Sequence, residues 1–456
     1  MKIHFIGIGG IGTSALARYY KEQGHQVQGT DLEDSEIIKR LQKEGFKVFV
    51  GPQEGKNITK DIDLIIRSAA VSDDNREYLK AKKEGLNIKK YAECLGEISK
   101  NYYTICVAGS HGKTTTTALL TLILVKAGID PTVIIGTNLK ELNNTNFRKG
   151  SSFAPQGFKK PVLLLEADEW QASFLNYSPD AIALTNIDKE HLDYYKNLSH
   201  IRKTFREFIF KLKKEGILVF NPNDKNISQI NLNNLDKSIY RIPITRDAEI
   251  ENTIRKYINI PGKHNILNAL TAYSLSRKLG IEDSIIFNAI KLYRGAWRRF
   301  QTEEFKNHNI VLVNDYAHHP SEIKATIRAT KEKYPNKKIW VIFQPHQRQR
   351  THYLFNDLVQ SFDEADFLIL TKIYDVKGRE SSKFKVKTSD IKDSMEKRWN
   401  KLKFDKKIIE IDRIREIAKY IKARLRKNTA IIVMGAGDIY KAFNQIKLLL
   451  KENQGK

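Results

Sequence analysis

The residues with the clearest chemical potential are Gly109-Ser110-His111-Gly112-Lys113-Thr114. A glycine-rich turn that opens a helix lets backbone N–H groups approach phosphate oxygens, and the helix dipole favours their negative charge. Lys113 stands where it would meet the β- and γ-phosphates, and the Thr114 hydroxyl where it would reach Mg²⁺. The spacing is G-x-x-G-K-T, two residues shorter than the usual P-loop expression.

A metal site should accompany a nucleotide. The apolar run Pro161–Leu165 ends in Glu166-Ala167-Asp168-Glu169. A carboxylate at the C-terminal end of a buried strand is well placed for a hard cation. A second run, Asp180–Leu184, ends in Thr185-Asn186-Ile187-Asp188-Lys189-Glu190-His191-Leu192-Asp193, an imidazole among several carboxylates. Any one of these alone reads as a polar residue facing solvent; together, beside a P-loop, they read as a metal cluster.

The N-terminal Gly7-Ile8-Gly9-Gly10-Ile11-Gly12, with Asp31 nineteen residues after Gly12, fits the dinucleotide fingerprint. Its physics asks only for a diphosphate near a helix N-terminus, so NAD and a nucleoside-diphosphate sugar both qualify. Beside a P-loop it points to a second nucleotide-bearing substrate rather than to redox chemistry. Further on, Asn314-Asp315-Tyr316-Ala317-His318-His319-Pro320 and Phe343-Gln344-Pro345-His346-Gln347-Arg348-Gln349-Arg350-Thr351 each follow an apolar strand. Histidine and arginine clustered at strand ends suit recognition of a carboxylate or phosphate.

Positioning these residues requires strands that end at them. Lys2–Gly12, Tyr102–Lys113 and Ile310–Tyr316 each read as a strand running into a turn and then a helix, with Lys338–Gln344 a further strand. Strands alternating with helices predict parallel sheets with crossover helices, an α/β protein. Thr115–Lys126 reads as the helix after the P-loop, and boundaries are expected near residues 98 and 293. Leu139–Lys160, rich in Asn, Ser and Gly, reads as a long loop. Ile408, Ile411, Ile414, Ile417 and Ile421 are spaced like one amphipathic helix.

The chain's 456 residues amount to about three domains. With 41% hydrophobic and 29% charged residues it is not a disordered composition. The longest strongly apolar stretch, Ala118–Val125, is far short of the ~20 residues of a membrane span, and Met1-Lys2-Ile3-His4-Phe5 leads straight into a strand, without the pattern of a signal peptide. Two cysteines, Cys94 and Cys106, form no disulfide framework, which points to a reduced, cytoplasmic protein. The net charge of +25 leaves a nucleic-acid-binding ATPase to be weighed against a solvated basic surface. Lys383 to Asn428 alone holds 17 Lys/Arg against 7 Asp/Glu.

Taken in order, GSHGKTTTT, EADE, SFL, TNIDKEHLDYY, PGKHNILNA, WRRFQ, NDYAHHP and FQPHQRQRT resemble the motifs of the Mur ligases of peptidoglycan synthesis, from Lys2 to about Tyr440. Within that family HFIGIGGIG and the last two motifs are most similar to the branch that couples L-alanine to UDP-N-acetylmuramate. The resemblance implies three domains: a Rossmann-like domain for the UDP-sugar over residues 1–97, a central P-loop ATPase over 98–293, and a Rossmann-like C-terminal domain over 294–456 that binds the amino acid. It implies that Gly109, Ser110, His111, Gly112, Lys113, Thr114 and Thr115 hold ATP phosphates, and that Thr114, Glu166 and His191 hold Mg²⁺. Asn265 and Asn268 would face adenine, Asp315 the ribose, and Arg299 the phosphate when the domains close. Tyr316, His318, His346 and Arg350 would surround the amino acid, while Gly9, Gly10, Asp31, Ser68, Asn146 and Arg148 would serve the UDP-sugar.

Some positions depart from the family pattern. Gln347 stands where arginine is common, Asn314 where aspartate is usual, and Trp170-Gln171 replaces the usual pair after the acidic motif. The stretch from Tyr240 to Pro261 is short, so a trimmed central domain is expected, and no carbamylated lysine is expected at Lys203. The implied reaction is ADP-forming: ATP converts a carboxylate to an acyl phosphate, an amine attacks, and phosphate leaves, with Lys113, Arg299 and metal ions facing the spread negative charge. Neither nucleic acid nor membrane insertion is expected. Rival readings are the family branch that couples a whole tripeptide to the same sugar nucleotide, and a nicotinamide dehydrogenase, which would have no use for Lys113.

Overall fold

The computed structural model describes residues 1–192, 194–375 and 383–452. Asp193, part of the expected acidic cluster, lies outside the described residues. Strands fall into three sheets. The first holds β1 (Lys2–Ile6), β2 (Gln26–Asp31), β3 (Lys47–Val50), β4 (Leu64–Arg67) and β5 (Ile88–Lys90), in the order β3-β2-β1-β4-β5 and all parallel. The second holds β6 (Tyr103–Ala108), β7 (Thr132–Leu139), β8 (Thr145–Arg148), β9 (Val162–Glu166), β10 (Ala181–Leu184), β11 (Ile217–Phe220) and β12 (Tyr240–Pro243), in the order β12-β11-β10-β6-β9-β7-β8. The third holds β13 (Gln301–Phe305), β14 (Ile310–Asp315), β15 (Lys338–Phe343), β16 (Phe367–Leu370), β17 (Lys407–Glu410) and β18 (Thr429–Met434), in the order β13-β14-β18-β15-β16-β17. Only the β7–β8 and β13–β14 pairs are antiparallel among the described residues. The expected α/β class with parallel sheets is the class observed.

The central strands β6, β9 and β10 are nearly continuous apolar runs because helices cover both faces of a parallel sheet. β6 lies between β9 and β10, so the loop leaving its C-terminal end opens where the strand order reverses direction. β1 occupies the same place in the first sheet, between β2 and β4. Such switch points leave a crevice at the carboxyl ends of strands. The third sheet is packed on both faces, with Val313, Val341 and Ile432 on one side and Leu312, Ile342 and Ile431 on the other.

The chain divides into two compact units: residues 1–189, 197–257 and 268–293 form one, and 190–196, 258–267 and 294–456 the other. The first two sheets belong to the former and the third to the latter. Among the described residues no helix is long and apolar enough to cross a membrane.

Two sequence expectations are corrected. Leu139–Lys160 is not a plain loop: Thr145–Arg148 forms β8, which returns antiparallel along β7 after a short 3₁₀ turn at Lys140–Leu142. Its polar composition hid it, because Asn146 is buried through side-chain hydrogen bonds rather than through apolar contact. The isoleucine series is not one helix either. Ile408 lies on β17, paired with Leu368, and the helix begins only at Ile414. The β-branched pair Ile408-Ile409 prefers a pleated, half-buried surface.

Candidate functional site

Gly109 to Gly112 connect β6 to the helix Lys113–Lys126, with Gly112 as its N-cap. Both glycines hold positive φ, +138° and +81°. A Cβ on Gly109 would overlap the Thr185 hydroxyl, and one on Gly112 the Asn268 carboxamide, so glycine is required on two counts. The segment after β10 braces the loop. Asn186 Oδ1 accepts from His111 N at 2.9 Å, and its Nδ2 donates to His111 O at 2.8 Å. The Thr185 hydroxyl donates to His111 O at 2.6 Å, and Ser110 Oγ accepts from Asp188 N at 2.8 Å. Asp188 also meets His111 Nε2 at 3.1 Å. Part of the expected metal cluster is therefore scaffolding for the P-loop.

Lys113 Nζ donates to Gly109 O and to Glu169 Oε2, each at 2.7 Å. Glu169 is buried. Burial opposes the Lys113 charge, yet Glu169 and Asp168 hold its ammonium above the ordinary lysine range. The Thr114 hydroxyl donates to Glu166 Oε1 at 2.7 Å, and Gly136 N donates to Glu166 Oε2 at 2.7 Å. Thr114 and Glu166, both expected at a metal, are thus brought together, while His191 belongs to the other unit with φ of +52°. Thr115 is buried on the first turn of the helix.

The N-terminal glycine loop follows β1. Gly9 N donates to Asp31 Oδ2 at 2.8 Å, and Thr13 Oγ1 donates to Gly7 O at 2.7 Å. Burial pushes the Asp31 carboxyl up, against backbone donors that pull it down. Ser68 N donates to Ile6 O at 3.0 Å, and Ser68 Oγ accepts from Ala70 N at 3.3 Å. Gly10 is the N-cap of the helix Ile11–Glu22, and its Cβ position lies 2.8 Å from Thr13 Oγ1. Asn146 is buried at this helix, donating to Ile11 O and to Ser14 Oγ and accepting from Arg18. Arg148 is turned instead to Pro131 O and the Asp130 carboxylate. Asn146 and Arg148, expected to act together, are directed to different partners.

In the second unit, the loops after β14 and β15 meet. Arg350 Nη2 donates to Glu190 Oε2 at 3.1 Å and its Nη1 lies 3.4 Å from His346 Nδ1. The rings of His346 and Tyr374 stack 5.6 Å apart, and His318 packs edge-on to His346 at 5.9 Å. Burial, then Arg350, push the His318 imidazole down to about 4, so it is neutral at neutral pH. Burial works against the Glu190 charge, but Arg350 and the surrounding histidines hold its carboxyl well below the usual range. Asp315 accepts from Phe300 N and Ala317 N, each at 2.8 Å, and burial raises its carboxyl to about 6. Arg299 lies 3.8 Å from Glu322 and over the Tyr316 ring. Asn268 belongs to the P-loop's unit, while Asn265 lies in the second unit and donates to Pro261 O at 2.6 Å.

Sequence reasoning missed Glu169 as the Lys113 partner, Asn186 as the brace of the P-loop and Glu190 as the Arg350 partner. Glu169 and Glu190 stood in quoted acidic stretches; their partners lie 56 and 160 residues away, and nothing local signals the pairing.

Three family descriptions match successive parts of the chain: "Mur ligase family, catalytic domain" over residues 2–103, "Mur ligase middle domain" over 107–276 and "Mur ligase, glutamate ligase domain" over 298–437. A protein of Clostridium kluyveri named UDP-N-acetylmuramate–L-alanine ligase is 38% identical, with 96% of both chains covered. One of the same name from Caldanaerobacter subterraneus subsp. tengcongensis is 36% identical, covering 99% of this chain and 98% of that protein. The solved structure of a Thermotoga maritima UDP-N-acetylmuramate-alanine ligase superposes with a TM-score of 0.80 at 28% identity, covering 99% of this chain and 100% of that one. A murein peptide ligase from Psychrobacter arcticus shares the fold, with a TM-score of 0.72 at 20% identity over 99% and 98% of the chains. Matched by these models from residue 2 to 437 and by such relatives over nearly its whole length, the chain belongs to the Mur ligase family.

Proposed function

We propose that this chain is an ATP-dependent, ADP-forming ligase that joins L-alanine to the lactyl carboxylate of UDP-N-acetylmuramate, in peptidoglycan precursor synthesis. The observation that carries this reading is the near full-length similarity, at 35–38% identity, to proteins named for that activity. The three functional regions are proposed as 1–97 for the UDP-sugar, 98–293 for ATP and 294–456 for the amino acid. In chemical terms, a carboxylate must first be phosphorylated before an amine can displace an oxygen from it. Buried positive charge is what both the phosphoryl transfer and the tetrahedral intermediate need.

Lys113 is the proposed phosphate contact. Supporting it are an ammonium at a helix start, paired with the buried Glu169, and a loop whose two glycines hold positive φ. Its present partner, Glu169, is an anion in the place where phosphate charge would be compensated. Thr114 and Glu166 supply hard oxygen donors 2.7 Å apart, which suits Mg²⁺, with His191 the proposed further ligand. Bound Mg²⁺ supplies charge to the phosphates. Asn268 and Asn265 are assigned to adenine, Asp315 to ribose and Arg299 to the phosphate. Gly9, Gly10, Asp31, Ser68, Asn146 and Arg148 are assigned to the UDP-sugar.

For the amino acid, Arg350 is the proposed carboxylate partner, beside His346, His318 and Tyr316. The Glu190–Arg350 ion pair supports this, because it shows the guanidinium already accommodating a carboxylate. The cytoplasm is the proposed location, where ATP is available and where the buried free cysteines Cys94 and Cys106 remain reduced.

Phosphate release measured with ATP, Mg²⁺, UDP-N-acetylmuramate and a panel of amino acids tests the reading. Release that depends on both the sugar nucleotide and L-alanine is expected. Release with the tripeptide but not with alanine would move the chain to the recycling branch. Release stimulated by single-stranded DNA alone would remove it from peptide-bond chemistry.

A further inference from the structure

The strong positive charge of the C-terminal part is not used by the ligase reading. Part of it lies at one edge of the third sheet. Strands β14, β15, β16, β17 and β18 are parallel, so their N-terminal ends share that edge: Lys338 is in register with Thr429, Ile310 with Thr429, and Phe367 with Lys407. Asp315, Gln344 and the histidine-arginine loops leave the opposite ends of β14 and β15.

The segments entering this edge carry Lys337, Lys401, Lys403, Lys406, Arg426 and Lys427. The connections are physically joined: Asn428 Nδ2 donates to Asn336 O at 2.6 Å, and Lys337 Nζ donates to Asn309 O at 2.7 Å. The acids here are largely committed. Asp366 pairs with Lys338, Asp363 with Arg398 and Glu364 with Arg328, leaving Asp405 exposed. No carboxylate lies within ion-pair distance of Lys401, Lys403, Lys407, Arg426 or Lys427 among the described residues.

Amid these cations, Leu402 is 41% exposed and Phe404 36% exposed. They are held in place rather than trailing. The helix Thr388–Lys401 ends with Leu402 N donating to Arg398 O at 3.0 Å and Phe404 N donating to Trp399 O at 2.9 Å, across a left-handed Lys403. A scattered exposed leucine needs no explanation. Two large apolar side chains alternating with lysines, on an ordered loop in a cationic edge, are the pattern of a surface that meets anionic headgroups with charge and the acyl boundary with apolar tips.

We propose that this edge of the third sheet, centred on Lys401–Lys407, is a peripheral docking surface for anionic phospholipid. The cations supply attraction to the headgroups, at about a fivefold gain in binding for each side chain brought near the surface. Leu402 and Phe404 enter the interface, and no segment spans the bilayer. Exposed apolar side chains favour lipid over a nucleic-acid backbone, to which Leu402 has nothing to offer. The inference stands on this edge alone and not on the ligase reading.

The test is co-sedimentation of the full chain with vesicles of phosphatidylcholine, with and without about one third phosphatidylglycerol, at low and at high salt. Binding only to the phosphatidylglycerol vesicles, weakened by salt, is expected. K403E/K407E/K427E should weaken it at least about tenfold, and L402S/F404S about fivefold, with thermal unfolding checked for each. If either combination lowers the unfolding temperature, K427E and F404S alone are read in the same assay, with loss of binding expected in each. No binding to anionic vesicles at low salt overturns the proposal. So does binding indifferent to the Leu402 and Phe404 changes and competed away by single-stranded DNA, which would assign the edge to a phosphate polymer.

Discussion

The P-loop lysine, 14% exposed, and the buried Glu169 form an ion pair, and the ammonium offsets the desolvation of the carboxylate in the folded chain. Removing the lysine leaves the Glu169 carboxylate buried and unmatched, at a cost of about 3–5 kcal/mol. Lys113→Met should therefore lower stability as well as abolish ligation. Lys113→Met combined with Glu169→Gln should recover much of the stability and none of the turnover. Urea unfolding and phosphate release on the single and double variants separate the structural from the chemical role; near wild-type ligation by either would remove Lys113 from the reaction. His318 gives a pH prediction. Its folded value of about 4 lies below the ordinary 6.5, so the folded state binds fewer protons than the unfolded one in that interval. Its contribution to stability is full above pH 6.5 and is lost as pH falls toward about 4. His318→Gln should flatten the acid side of the stability-pH curve in that window, and an unchanged slope would contradict a neutral buried imidazole.

At the level of elements, the strand-loop-helix unit around β6 depends on backbone conformations that only glycine holds without strain. Gly112 and Gly24 offer a controlled comparison, both with φ of +81°. Nothing lies within 4 Å of a Cβ at Gly24, whereas at Gly112 the Asn268 carboxamide occupies that space. Gly24→Ala should cost about 1 kcal/mol through the backbone and leave ligation intact. Gly112→Ala adds a steric conflict at the helix start and should abolish ATP-dependent thermal stabilisation. Equal effects from the two substitutions in unfolding and ATP-shift measurements would mean that Asn268 does not shape the loop. These central strands were legible because parallel strands buried on both faces must be apolar throughout. β8 was not, since hydrogen bonds to Arg18, Ser14 and Ile11 bury its Asn146.

For the whole molecule, the question is which nucleotide the first sheet takes. A ligand that binds only the folded state stabilises it by RT ln(1 + [L]/Kd), about 2.7 kcal/mol at a hundredfold excess over Kd. UDP-N-acetylmuramate should raise the unfolding temperature of the full chain, while NAD and NADP should not. Gly10→Leu, whose first side-chain carbon meets Thr13 Oγ1, should remove that shift. A shift with NAD alone would overturn the ligase reading, and a UDP-sugar shift surviving Gly10→Leu would move the sugar nucleotide to another surface.

The α/β class, the parallel sheets, the strands that end at chemistry and the P-loop itself are fixed by local features of the chain: apolar runs of strand length, glycines at strand ends and a Lys-Thr pair at a helix start. Those features act within a few residues, so the order of amino acids suffices to reveal them. Partnerships are another matter. Glu169 meets Lys113 and Glu190 meets Arg350 across 56 and 160 residues, and Asn186 braces the P-loop because β10 runs beside β6. Ile408 turns from helix to strand because β16 offers it a ladder. Which carboxylate answers which cation is set by strand order and register, and these follow from the packing of the whole chain rather than from any stretch of it.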